Sequence, residues 1–236
     1  MSQVRRVLTL DFCDTLTPEK TIKWADKRLM PPWAVDQMEQ IRQQLLPKLE
    51  SGTITREEMD GWTMRTFEIY AEVGVTRPQV VDAMRGFPLR DGITDLLHWA
   101  HEQRMPVAII SGSCADFIHL ALVNAGIDHL VEEIVATRLT YRDDLVTGAR
   151  PETMVTNFTK GERAMSFASR YGLTDHHVIA VGDSNNDDLL AGTNGTLIGI
   201  AENEARAAKL KPRFNRVVIS KSLKDVLTVV QEHAVA

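Results

Sequence analysis

The sequence predicts an α/β protein: a three-layer, Rossmann-like core with a mostly parallel sheet, interrupted by an all-helical insertion. Three observations carry that expectation. From residue 88 onward, short apolar runs alternate with amphipathic stretches, the rhythm of a parallel sheet wrapped on both faces. Residues 18–87 break that rhythm and read as helix, with no convincing strand. Reactive polar residues follow the apolar runs, where open α/β sheets place their ligands.

The elements follow in order. Residues 4–12 are short, apolar and β-branched, then broken by charge, and predict a buried first strand. Residues 34–50 and 55–73 carry helical patterns. Thr55 followed by Glu57 and Glu58 suits a helix start, with acid near the positive end of the dipole. Asp91-Gly92 opens a helix over 93–104, and 107–110 is the next strand. Ser111-Gly112-Ser113 reads as a loop into a helix over 114–126, which Gly126 stops. Residues 131–147 predict short strands around a turn at Arg142-Asp143-Asp144. A helix over about 160–171 and a strand over 178–181 come next, then a turn into a helix over 182–192. Residues 196–200 and 217–219 are further strands, and 222–232 is a last helix. The predicted domains are a core of residues 1–17 and 88–236, with residues 18–87 as a helical cap.

Composition excludes several function classes. Lys and Arg total 27 against 32 Asp and Glu, a net charge of −5 that argues against a nucleic-acid polymer or an anionic membrane as partner. The two cysteines, Cys13 and Cys114, cannot form a disulfide framework and suit a reducing compartment. No long apolar segment follows the basic pair Arg5-Arg6, and nowhere do 18 apolar residues run together. The expectation is a soluble, cytoplasmic monomer or homodimer without a signal peptide.

Four positions beyond apolar runs carry chemistry: Asp11, Ser111, Lys160, and Asp183 with Asp187. Carboxylates at the ends of separate strands can hold a hard cation such as Mg²⁺. A lysine and a hydroxyl converging there can bind a phosphoryl group, and an aspartate can attack phosphorus. Singly, each has a plain structural reading. A strand-end Asp forms turns or caps, Ser111 caps the following helix, and Lys160 is a solvated lysine. Taken together and in this order, they point to phosphoryl chemistry.

That set resembles the haloacid dehalogenase superfamily of aspartate-nucleophile phosphohydrolases across nearly the whole chain. Asp11-Phe12-Cys13-Asp14-Thr15 stands in place of the first motif, Ser111 of the second and Lys160 of the third. Residues 182–187 carry the Gly-Asp-x-x-x-Asp spacing of the fourth. The insertion is similar to the C1 cap of phosphoserine phosphatases and the pyrimidine 5′-nucleotidase group. The resemblance implies a Mg²⁺-dependent phosphomonoester hydrolase with Asp11 as nucleophile. Asp11, Asp183 and the backbone carbonyl of Cys13 would hold the metal, with Asp187 supporting it. Ser111, Gly112, Lys160 and Asn186 would bind the phosphoryl group, and Thr15 would orient the loop. The implied substrate is a small phosphorylated metabolite: a nucleotide, a sugar phosphate or an amino-acid phosphate.

Cys13 departs from the family pattern, which has an Asp there as acid and base. A thiol has an ordinary pKa of about 8.5 and hydrogen-bonds weakly. Three readings stand beside each other: a slow phosphatase favouring good leaving groups, another reaction through Asp11 such as C–P cleavage or phosphoryl transfer, or a phosphate-ligand-binding protein with negligible turnover. In extended backbone Asp14 points away from the face shared by residues 11 and 13. Substrate clues divide similarly. Lys20, Lys23, Lys27 and Arg28 either meet an anionic group or form a solvated helix face. Trp24, Trp33 and Trp62 either stack on a base or form the core of the cap. Arg65 is a loose candidate for binding a serine carboxylate.

Overall fold

In the computed structural model, which describes residues 4–187 and 190–234, β1 (Val7–Leu10) lies at the centre of a six-stranded parallel sheet. All four of its residues are buried, because helices cover both faces and leave no polar side to alternate with. β1 pairs with β2 (Val107–Cys114) on one side and β6 (Val178–Gly182) on the other. β3 (Glu133–Thr137) extends the sheet beyond β2, and β7 (Thr196–Ala201) and β8 (Arg216–Ile219) extend it beyond β6. The strand order is therefore β3-β2-β1-β6-β7-β8. The chain builds outward from β1 to one edge, then returns to β6 and builds to the other. That reversal opens a crevice at the carboxyl ends of β1 and β6.

Successive β1 side chains point to opposite faces, so they feed two apolar clusters. Leu8 and Leu10 pack with α5 (Ile93–Glu102), α6 (Ala115–Asn124) and α9 (Leu223–Ala234). Val7 packs with α7 (Lys160–Ser169) and α8 (Glu204–Leu210). Helix, sheet and helix make the three expected layers.

Between β1 and α5 stand four helices: α1 (Thr21–Leu29), α2 (Pro32–Ser51), α3 (Arg56–Val73) and α4 (Arg77–Ala83). The Thr55 start is a capping box with Glu58, each side chain bonded to the other's backbone N–H. Phe67, Tyr70, Met84 and Phe87 belong to the same apolar cluster as Leu8, Ile109 and Phe117, so insertion and sheet are packed as one core. The antiparallel hairpin of β4 (Leu139–Arg142) and β5 (Leu145–Ala149) joins them further. Val146 N donates to Val75 O at 2.9 Å, and the Arg77 guanidinium lies 3.9 Å from the Tyr141 ring centre. The hairpin turns at Asp143 and Asp144, both with positive φ, as the sequence anticipated.

Several boundaries differ from expectation. The first strand is four residues rather than nine. Residues 111–113, read as a loop, continue β2 as far as Cys114, and its register with β3 shifts between Ile110 and Cys114. Small residues allow this extended, irregular stretch, which a propensity reading scores as turn. After β6 the structure forms a 3₁₀ turn at Asn185–Asp187; positions 188–189 of the expected helix lie outside the described residues. Helix α8 was not anticipated; the Asn203 side chain caps it by accepting from Arg206 N at 3.0 Å. Among the described residues, no helix is long and apolar enough to cross a membrane.

Candidate active site

Asp11 leaves β1 at the crevice, its N–H donating to Val181 O at 3.0 Å across to β6. Asp183 leaves β6 beside it. Next comes a turn held by Asp187, whose Oδ2 accepts from Asp183 N at 3.2 Å, Ser184 N at 3.1 Å and Ser184 Oγ at 3.0 Å. Gly182 is required here for space. A Cβ on it would lie 2.5 Å from Asp187 Cβ.

Lys160 enters from the first turn of α7. Its Nζ donates to Asp11 Oδ1 at 2.8 Å and to Asp187 Oδ1 at 2.5 Å. Thr15 Oγ1 stands 3.3 Å from Asp11 Oδ2 and 3.2 Å from Asp183 Oδ1, with one proton to share between them. Carboxylate oxygens of Asp11, Asp183 and Asp187 lie within 4.8 Å of one another, and all three residues are buried. Burial pushes Asp11 up to about 6, with Lys160 opposing and Asp187 adding to the rise. Burial, then the charges of Asp11 and Asp187, push Asp183 up to about 8. Three buried carboxylates face one buried ammonium, an excess of negative charge that an oxygen-seeking divalent cation would balance. The donor set fits Mg²⁺, and these three carboxylates are the ones that could hold it.

Ser111 is buried one strand away. Leu10 pairs with Ile109, so Ser111 sits just past the level of Asp11, its Oγ accepting from Ser113 N at 3.4 Å. Gly112 is exposed beside it and close to Val155 O. Asn186 is exposed in the turn that carries Asp187. The structure thus ties Lys160 to Asp11 and Asp187, and Asp183 to Asp11 through Thr15, with Ser111 and Gly112 on the neighbouring strand and Asn186 in the Asp187 turn.

Cys13 is half-buried, with Sγ 3.4 Å from Thr21 Oγ1, which in turn is in close contact with Ser113 Oγ. Burial and the Asp11 charge raise the thiol above its ordinary pKa. Asp14 adopts a left-handed φ of 62°, and its carboxylate lies 3.9 Å from Lys20 Nζ.

Sequence reading missed three residues. Thr21, at the start of α1, brings the insertion to the Cys13 thiol. Arg90 is buried and its Nη2 donates to Asp14 O and Glu202 Oε1, both at 2.9 Å, pinning the loop after β1. Arg206 Nη2 donates to Asp183 Oδ2 at 2.8 Å. The strand-end rule could have found Arg206, because it lies just beyond β7; Arg90 carries no comparable signal. Other expectations changed. Arg65 is engaged twice by Glu72, at 2.5 and 3.1 Å, along its own helix. Lys27 pairs with Glu19, and Arg28 stacks on Trp24 at 3.5 Å. Trp24 donates to Ala83 O and packs on Phe87, whereas Trp33 is exposed.

The sequence model of the haloacid dehalogenase-like hydrolases matches residues 8–191. A phosphoserine phosphatase of Lactococcus lactis subsp. lactis (strain IL1403) is 30% identical over 120 residues, 51% of this chain and 53% of that protein. The chain thus matches about half the length of that curated relative. A substrate-bound phosphoserine phosphatase structure superposes with a TM-score of 0.72 at 17% identity, covering 97% of this chain and 99% of that one. Cytosolic 5′-nucleotidase IIIB bound to cytidine gives 0.73 at 17% identity, covering 97% and 87%. At such identities these two likenesses establish the fold.

Proposed function

The chain belongs to the haloacid dehalogenase-like hydrolase family, and from that premise we propose that it is a Mg²⁺-dependent phosphatase acting on a small phosphorylated metabolite through an aspartyl-phosphate on Asp11. The carrying observation is the ammonium of Lys160 bonded to Asp11, with Asp183 joined to Asp11 through Thr15. Lys160 keeps Asp11 ionised against the burial that raises its pKa.

In this reading an Asp11 oxygen forms the bond to phosphorus while the ester oxygen leaves, and water later releases inorganic phosphate and restores the carboxylate. The Ser111 hydroxyl, the Gly112 N–H, Lys160 and Asn186 donate to the phosphoryl oxygens. Held by Asp11, Asp183 and the Cys13 carbonyl, Mg²⁺ would supply positive charge to those oxygens. Asp187 acts on the site through Lys160 and the turn it ties.

Cys13 sets the character of the reaction. A thiol raised by burial stays protonated at neutral pH, so it donates weakly and accepts no proton. Turnover is slow, and esters whose leaving oxygen needs little protonation are favoured. The four helices of the insertion, with Thr21 against Cys13, serve as the cap over the site. The relatives act on phosphoserine or bind a nucleoside. The two free cysteines suit a cytoplasmic location.

A phosphate-release screen over nucleotides, sugar phosphates and amino-acid phosphates, with Mg²⁺ or EDTA, tests the reading. We expect release that EDTA and Asp11→Asn both abolish. If no ester is cleaved faster by wild type than by Asp11→Asn, the phosphatase reading fails and ligand binding without turnover takes its place.

A further inference from the structure

Each oxygen of Asp183 has one described side-chain partner. Thr15 takes Oδ1 at 3.2 Å, and Arg206 takes Oδ2 at 2.8 Å. The two partners differ in how they are held. Thr15 is wholly buried in the loop after β1. Arg206 reaches in from α8 on a side chain that is 49% exposed, onto a carboxylate that is 8% exposed.

Beside this pair lies a cavity of about 220 Å³ between the loop after β1 and the segment after β7. Asp14, Arg90, Asp183, Glu202 and Arg206 line it. Its two arginines are held differently. Arg90 is locked by Asp14 O, Glu202 and Lys221 O. Arg206 has the exposed stem and open space to leave its partner.

Building on the metal reading above, we propose that Arg206 is the placeholder cation of the metal site. It occupies Oδ2 of Asp183 when no ion is bound and gives that oxygen up, moving into the adjoining cavity, when Mg²⁺ binds. The physical contest is uneven. A half-exposed arginine pair is stabilised by little, because water screens it and ordering the side chain costs entropy. A divalent cation taking the same oxygen gains about twice the Coulomb energy at equal distance and brings more oxygen ligands to bear. Competition for Oδ2 therefore weakens Mg²⁺ binding without preventing it, and stabilises the metal-free form.

Calorimetric Mg²⁺ titration tests this on wild type, Arg206→Gln and Asp183→Asn. Lys209→Gln, which removes the same charge from an exposed site on the same helix, is the electrostatic control. Arg206→Gln should bind Mg²⁺ about three- to tenfold more tightly. It should also melt below wild type in EDTA, with the gap closing at saturating Mg²⁺. Lys209→Gln should match wild type in both measurements. Unchanged or weaker Mg²⁺ binding by Arg206→Gln, no loss of melting temperature in EDTA, or an equal gain in Lys209→Gln would overturn the proposal. Wild-type protein that binds no Mg²⁺, or binding that survives Asp183→Asn, would instead remove the metal reading and the placeholder with it.

Discussion

Lys160 Nζ lies 2.5 Å from Asp187 Oδ1, linking the first turn of α7 to the turn after β6 inside the protein. The same ammonium reaches Asp11 at 2.8 Å. Burial alone would lower the pKa of this lysine, yet the charges of Asp11 and Asp187 outweigh it and raise the group above its ordinary value. Removing the ammonium strands two buried carboxylates. Lys160→Met should cost the metal-free protein roughly 3–5 kcal/mol at pH 7, and less at pH 5, where Asp11, which burial raises to about 6, takes up a proton. Denaturant unfolding at the two pH values measures the difference. Adding Asp187→Asn should restore part of the loss.

Cys13→Asp supplies the acid and base that the thiol does not. If proton transfer limits turnover, kcat should rise by about 10²–10⁴-fold, with little change in Mg²⁺ affinity, since on the proposed reading residue 13 would meet the metal through its carbonyl. Steady-state phosphate release reads the rate. An unchanged kcat would mean that the substrate or another group provides the proton.

The Tyr70 hydroxyl donates to Asp26 Oδ1 at 2.6 Å, tying α3 to α1, while the Tyr70 ring packs on Phe117 of α6. Burial pushes Asp26 up to about 6, and the Tyr70 hydrogen bond only partly opposes this. The unfolded chain therefore ionises first. The stabilising contribution is full below about 3.8 and is lost as pH rises through about 6. Asp26→Asn should remove this part of the pH dependence. The stability difference between wild type and variant should change by up to about 3 kcal/mol from pH 4 to 7. Melting curves across that range test it, and a flat difference would contradict the burial of this carboxyl.

Gly182→Ala places a methyl 2.5 Å from Asp187 Cβ. Either the turn shifts or Asp187 lets go of Lys160, at a cost of about 1–3 kcal/mol. Gly112→Ala meets Val155 O at 3.4 Å and should be milder. Thermal unfolding and phosphate release of the two variants should fall in that order.

Much of the site was legible because its signals are local. Gly182, Asp183 and Asp187 sit at a fixed short spacing, and the strand before them is a continuous apolar run. The Thr55 helix start was legible for the same reason, since its capping partner is three residues away. Helix α8 was less visible, because its seven residues are too few for a 3.6-residue period to stand out. Residues 111–113 read as a turn from their small side chains, but continue β2 toward the Cys114–Thr137 pairing.

By itself, the sequence determined the alternation of strand and helix, the helical insertion, and which polar residues end the strands. Those follow from periodicity and from short-range backbone preferences. Tertiary structure alone decided that Lys160 meets Asp11 across 149 residues, that Arg206 meets Asp183 across 23, and that Arg65 is bound within its own helix. Charge pairing is set by distance in space and by how much water remains between the partners, and the order of residues along the chain encodes neither.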